Sequence, residues 1–156
     1  MSKHQKDIKI LDLGFHPYAD TFLRKDQLNN SEPVYQLSCY LSKKTGVIRN
    51  GIKTDADSRY NLYDYSYTSS NSSYSKNYWE QYAKNLSQEL NITDNFRILE
   101  IGSNDGYLLK CFKKYTSKTW GVDASKLMCA LSKKNSIKTL NLIFNLKNSK
   151  KIKKKV

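Results

Sequence analysis

The stretch that most limits what this chain can fold into is residues 96–107, Phe-Arg-Ile-Leu-Glu-Ile-Gly-Ser-Asn-Asp-Gly-Tyr. A short apolar run with one carboxylate, Glu100, stops at Gly102, a tight polar turn follows, and an amphipathic segment begins at Tyr107. A buried strand hands over to a helix in this way in nucleotide-binding α/β units, where the ligand lies at the strand's carboxyl end. Eighteen residues after Asp105 a second apolar run, Trp120-Gly121-Val122, ends in Asp123. A carboxylate at the tip of the next parallel strand is placed to hold ribose hydroxyls. A side chain at position 102 would stand between the strand end and a ligand, and a glycine at 106 lets the helix start close to the sheet. The helix amino end would then offer free N–H groups to an anionic part of the ligand. The dinucleotide fingerprint G-x-G-x-x-G is not met, because Asn104 and Tyr107 stand where glycines are needed, so NAD and FAD are disfavoured.

The remaining elements can be laid out around that pair. Ile8-Lys9-Ile10-Leu11 begins a strand, residues 13–20 read as a turn around Gly14 and Pro17, residues 34–41 alternate as a strand, and Thr45-Gly46 turns into Val47-Ile48-Arg49. Four tyrosines (Tyr60, Tyr63, Tyr65, Tyr67) precede a serine-rich run at 68–73. Residues 75–90 form the clearest helix, with Tyr78, Trp79, Tyr82, Ala83, Leu86 and Leu90 on one stripe, Ser75 as cap and Asn91 as stop. After it come a strand at 97–101, a helix at 107–115, a strand at 119–122, a helix at 126–134 capped by Ser125, and a third apolar stretch at 137–144. The fold class is therefore α/β, a partial Rossmann-like sheet preceded by a small β-leaning unit and a linking helix. Its parts are residues 1–70, the helix at 75–91, the strand–helix repeat at 96–145 and a basic tail at 146–156.

The formal charge of +13 raises nucleic acid as a partner. Only four of the 27 basic residues are arginine, the better phosphate and base reader, and six lysines crowd into residues 147–155 as a solvated tail, so nucleic acid is disfavoured. Cys39, Cys111 and Cys129 are odd in number and have no C-x-x-C spacing, which argues against a disulfide framework and a self-contained zinc site. No apolar run is long enough to span a bilayer and none follows the charged start, so the expectation is a cytoplasmic chain with no membrane partner.

Three ordered motifs carry a resemblance. Leu13-Gly14-Phe15-His16-Pro17-Tyr18-Ala19-Asp20 matches an L-G-x-x-P-x-A-[ND] segment, and Asp64-Tyr65-Ser66-Tyr67-Thr68-Ser69-Ser70-Asn71-Ser72 matches D-Y-x-Y-x-S-S-x-S. Glu100-Ile101-Gly102-Ser103-Asn104-Asp105-Gly106 matches the glycine turn E-I-G-S-N-D-G at every position. Together with Gly121-Val122-Asp123 the chain resembles the class I S-adenosylmethionine-dependent methyltransferases, and among them the nucleotide-deoxysugar C-methyltransferases with an amino-terminal zinc-binding domain. The resemblance implies a cofactor site of Glu100, Gly102, Ser103, Asn104, Asp105, Gly106, Asp123 and Ala124, with Asp123 on the adenosine ribose. It implies that Tyr65, Tyr67, Ser69 and Ser70 face the cleft for cofactor and nucleotide-linked sugar. The family reaction deprotonates a carbon beside a keto group and methylates the carbanion, which needs a base and an enolate stabiliser together.

Two departures qualify what the resemblance implies. The family's paired zinc cysteines are absent around Ser42 to Gly46 and before Leu13, and hydroxyls replace thiolates poorly, so zinc is not expected. The family's catalytic His and Glu belong to a half that this chain lacks, and neither His4 nor His16 matches a catalytic position. The expectation is a cofactor-binding half that is inactive alone. The alternatives are a partner-dependent subunit of a split methyltransferase, working with a chain that supplies the missing half, and a basic nucleic-acid-associated protein.

Overall fold

The computed structural model describes residues 7–19, 22–52, 59–60 and 67–155. Asp20 and Tyr63–Ser66, Tyr65 among them, lie outside the described residues. The described residues form a mixed α/β structure with a three-stranded antiparallel sheet, a three-stranded parallel sheet and four helices. The chain divides into two compact units, Met1–Asp55 and Ala56–Val156.

In the first unit β1 (Ile8–His16) pairs antiparallel with β2 (Tyr35–Leu41), which pairs with β3 (Ile48–Asn50). The turn expected from position 13 onward is displaced. β1 runs through Gly14 to His16, because Gly14 at φ +80° absorbs one extra residue, so that Asp12 faces Ser38 and Phe15 faces Gln36. This is a bulge rather than a reversal. The expected hairpin at Thr45-Gly46 is present: Gly46, at φ +72°, donates its N–H to the Ser42 carbonyl, and the Ser42 N–H donates to Val47. A single 3-10 turn, Lys25–Gln27, interrupts the long connection from β1 to β2.

In the second unit β4 (Ile98–Ile101), β5 (Thr119–Asp123) and β6 (Lys138–Asn141) run parallel in sequence order. The helices are α1 (Ser73–Glu89), α2 (Tyr107–Phe112), α3 (Lys126–Lys134) and α4 (Leu146–Lys153). Ile98 packs with Phe112, Cys111 and Ala83, which brings α1 and α2 onto one sheet face. Ser132 of α3 exchanges a hydrogen bond with Thr139, the residue paired with Gly121 and so in line with Glu100. The alternation of side chains puts Ile98, Glu100, Gly121 and Thr139 on the same face, so α2 and α3 share it, as right-handed crossovers require. On the other face Leu99 and Ile101 remain 38% and 52% exposed.

Several boundaries differ from the sequence expectation. α1 begins two residues early and is capped by Ser72, whose hydroxyl accepts the Ser75 N–H at 3.1 Å; Asn91, at φ +52°, ends it as expected. Its stripe is only half core: Ala83 is buried, while Tyr78, Tyr82 and Leu90 are exposed. α2 stops at Phe112, with Leu109 and Phe112 inward. The basic tail is not extended chain. Residues 146–153 are helical, Asn145 caps them by accepting the Asn148 N–H, and Ile152 is buried.

Candidate functional site at the glycine turn

β4 ends because the backbone turns left-handed three times in five residues. Gly102, Asn104 and Gly106 stand at φ +74°, +51° and +75°. Glycine reaches this region freely, and asparagine is among the few other residues that tolerate it. A Cβ at Gly102 would meet no heavy atom within 4 Å, so the space above the strand end is open. A Cβ at Gly106 would run into Ser132 and Ile137, so this glycine serves close packing against α3 and its following loop. The two glycines of one motif thus do different jobs.

The second strand holds the bend. The Val122 carbonyl accepts the N–H groups of Gly102 and Ser103 at 2.7 and 3.2 Å. Asp123 Oδ2 accepts the Asn104 N–H at 2.8 Å, and its Oδ1 accepts the Ser125 N–H at the same distance. Asn141 crosses from β6 to donate to the carbonyls of Asp123 and Ala124. An open cleft of about 270 Å³ lies here, lined by Gly102, Asn104, Asp123 and Ala124 with Tyr60, Ile101, Val122, Leu142, Ile143 and Phe144. It falls just below the range of roughly 300–1,000 Å³ usual for a complete small-molecule pocket. A roomier groove of about 360 Å³ runs along α1 and β4, but its walls are mostly apolar, Tyr82, Leu86, Leu90 and Phe96 among them, with Arg97 and Glu100 as its charged residues.

Four of the expected cofactor residues do not line this cleft. Ser103 is 2% exposed, and its side chain packs where a Cβ on Gly121 would collide with it. Asp105 is equally buried and spends its carboxylate inside the protein: Oδ2 accepts from the N–H and hydroxyl of Ser70, and Oδ1 from the Tyr107 N–H. The first N–H of α2 is therefore already satisfied. Gly106 is in the interior. Glu100 lies on the helix-covered face, with Oε2 buried and without a hydrogen-bond partner among the described residues. Burial, reinforced by the negative charges of Asp105 and Asp123, pushes its pKa up to about 8.

The serine-rich segment is strapped to the same turn. The Ser69 N–H donates to Asn104 Oδ1 at 2.9 Å, and Asn104 Nδ2 donates to the Tyr67 carbonyl at 2.9 Å. Tyr67 itself is 47% exposed. These bonds tie residues 67–70 to the parallel sheet, within the unit Ala56–Val156. Sequence reasoning missed Tyr60, Leu142, Ile143 and Phe144 as cleft walls. The last three follow β6 directly, and their position at a strand's carboxyl end was the available signal.

The cysteines offer no nucleophile here. Cys129 donates weakly to the Asp123 carbonyl, and burial pushes its thiol to about 11, too high for a thiolate near neutral pH. In the first unit Cys39 stands alone in β2, and the hairpin turn beside it presents hydroxyls and ammonium groups, which do not fit zinc. Among the described residues no three His, Cys, Asp or Glu side chains converge as a metal site. Compared with known proteins, the chain matches no protein-family model and no curated sequence.

Proposed function

We propose that the second unit is the cofactor-binding half of an S-adenosylmethionine-dependent methyltransferase of the sugar C-methylating kind, built on a Rossmann-like sheet. One observation carries this reading: the Asn104–Asp123 hydrogen bond, which joins the glycine bend and the strand-end carboxylate on one cleft. An ionised carboxylate has about four acceptor positions. Two on Asp123 are taken by backbone N–H groups, which leaves capacity for the two hydroxyls of a ribose. Ala124 and Gly102 keep the neighbouring volume clear, and Leu142, Ile143 and Phe144 supply an apolar wall for an adenine. When bound, the cofactor supplies an electrophilic methyl group on sulfur.

The chain's own residues position this group and do not activate the acceptor. Asp123 is held by backbone bonds, Asp105 by the serine strap, and Glu100 is buried on the far side of the bend. A base for proton abstraction from a nucleotide-linked sugar is not among these three carboxylates.

Titration calorimetry with S-adenosylmethionine and S-adenosylhomocysteine tests the reading. Asp123→Ala is expected to weaken binding roughly 10- to 100-fold, the loss of hydrogen bonds to a charged acceptor. Because Asp123 also supports the bend, Ala124→Phe serves as a second variant that fills the cleft and leaves those bonds intact. Absence of heat with the unmodified chain, or unchanged affinity in Ala124→Phe, overturns the proposal.

A further inference from the structure

Residues 107–156 contain fourteen lysines and one carboxylate, Asp123, whose oxygens are engaged in the bend. The ion pairs among the described residues, Lys9–Asp12, Arg24–Asp26 and Arg49–Asp7, all belong to the first unit. Among the described residues no ion pair engages the lysines after β5, and Lys138 is partly occupied over the Trp120 ring.

α4 concentrates this charge on one side. Its inward face is Asn148, Ser149 and Ile152, the positions with least exposure. A 3.6-residue period then puts Lys147, Lys150 and Lys154 outward, with Lys151 and Lys153 at the two margins. Leu146 shares the outward side at 88% exposed, and Phe144, just before the helix, is 49% exposed. Beneath the helix end lies an apolar recess of about 340 Å³ with Leu140 and Leu142 as floor and Lys151, Lys154 and Lys155 as rim. Bare apolar side chains at one end of the helix and an apolar recess rimmed by ammonium groups at the other fit an anionic amphiphile. They fit nucleic acid less well, since the region has no arginine for bidentate phosphate contact and no tyrosine or tryptophan on α4 for stacking.

We propose that α4, with Leu146 and Phe144, is a reversible docking face for anionic lipid bilayers. The helix lies on the membrane with its lysines among the headgroups and Leu146 in the acyl boundary. This is distinct from spanning: no helix among the described residues is long and apolar enough to cross a membrane. The proposal does not depend on the methyl-donor reading.

Co-sedimentation of the full chain with vesicles of phosphatidylcholine alone, and of phosphatidylcholine mixed with phosphatidylserine, tests it. Binding is expected only to the mixed vesicles and should fall steeply with salt. Each lysine removed from the outward face (Lys147, Lys150 and Lys154→Gln) should weaken partitioning roughly fivefold. Leu146→Ser should weaken it severalfold at unchanged charge, with the circular dichroism spectrum retained. A charge-matched control, Lys76, Lys84 and Lys133→Gln, should retain most of the affinity. No binding at low salt, equal loss in both triple variants, or indifference to Leu146→Ser overturns the proposal. So does tighter binding to random-sequence RNA, which would make the face a nucleic-acid surface.

Discussion

The two units are built from three strands each, yet they differ in what the strands bury. Among the described residues every buried apolar side chain, from Ala83 through Leu109, Phe112, Val122 and Met128 to Ile152, belongs to the parallel unit. In the antiparallel unit only Ser38 is buried among the described residues, while Leu13, Phe15, Val34 and Ile48 are each more than half exposed. Parallel strands need crossovers, and those crossovers are helices that cover the sheet. Hairpins bring no such layer with them. The same number of strands therefore yields a core in one case and an uncovered ribbon in the other.

The largest expected difference comes from truncating a core residue. Leu109→Ala should destabilise the parallel unit by about 2–5 kcal/mol in urea or thermal unfolding, the usual cost of a buried leucine. Leu13→Ala should change stability by no more than about 0.5 kcal/mol, as at other exposed sites. Comparable losses at both positions would break the contrast and reveal a buried layer over the antiparallel sheet.

A second effect concerns Glu100, a carboxyl that the helix cover keeps largely from water. Its folded pKa of about 8 lies above the ordinary 4.5, so the folded state holds a proton that the unfolded state has released between those values. Stability contributed by the protonated form is full below pH 4.5 and is lost progressively as pH rises to 8. Glu100→Gln should flatten this dependence and stabilise the unit at pH 9, where the wild-type carboxyl is charged. A wild-type pH profile that is flat across this window would show that the cover admits water.

The smallest test sharpens the role of the strap that leads into α1. Ser72→Ala should cost about 1 kcal/mol through the lost cap, and Ser75→Ala only a few tenths. The reverse order in thermal unfolding would move the helix start to where the residue pattern alone put it.

That last pair shows where legibility ended. In the run Thr68-Ser69-Ser70-Asn71-Ser72-Ser73 several side chains can cap a helix, and local chemistry does not choose among them. The choice is made by Asn104 and Asp105, which pin Ser69 and Ser70 and so set where the chain is released into α1. Ser125 caps α3 as expected, accepting the Met128 N–H. The motif itself was legible as a bend but not as a division of labour. Gly102 opens onto the cleft whereas Gly106, Ser103 and Asp105 face inward, and no spacing rule separates those fates.

The order and type of the second unit's elements came from the chain itself: apolar runs of strand length, ended by glycine or aspartate, alternate with amphipathic segments, and that pattern is local. The sequence also determined that Asp123 would cap a strand. Tertiary structure alone decided that Asp123 meets the bend, that Glu100 Oε2 is buried without a hydrogen-bond partner among the described residues, and that the lysines of residues 146–153 line the solvent side of a helix. Each of those outcomes depends on groups far apart along the chain being brought within a few ångströms, where burial and hydrogen bonding set the properties of a side chain that its neighbours in sequence leave open.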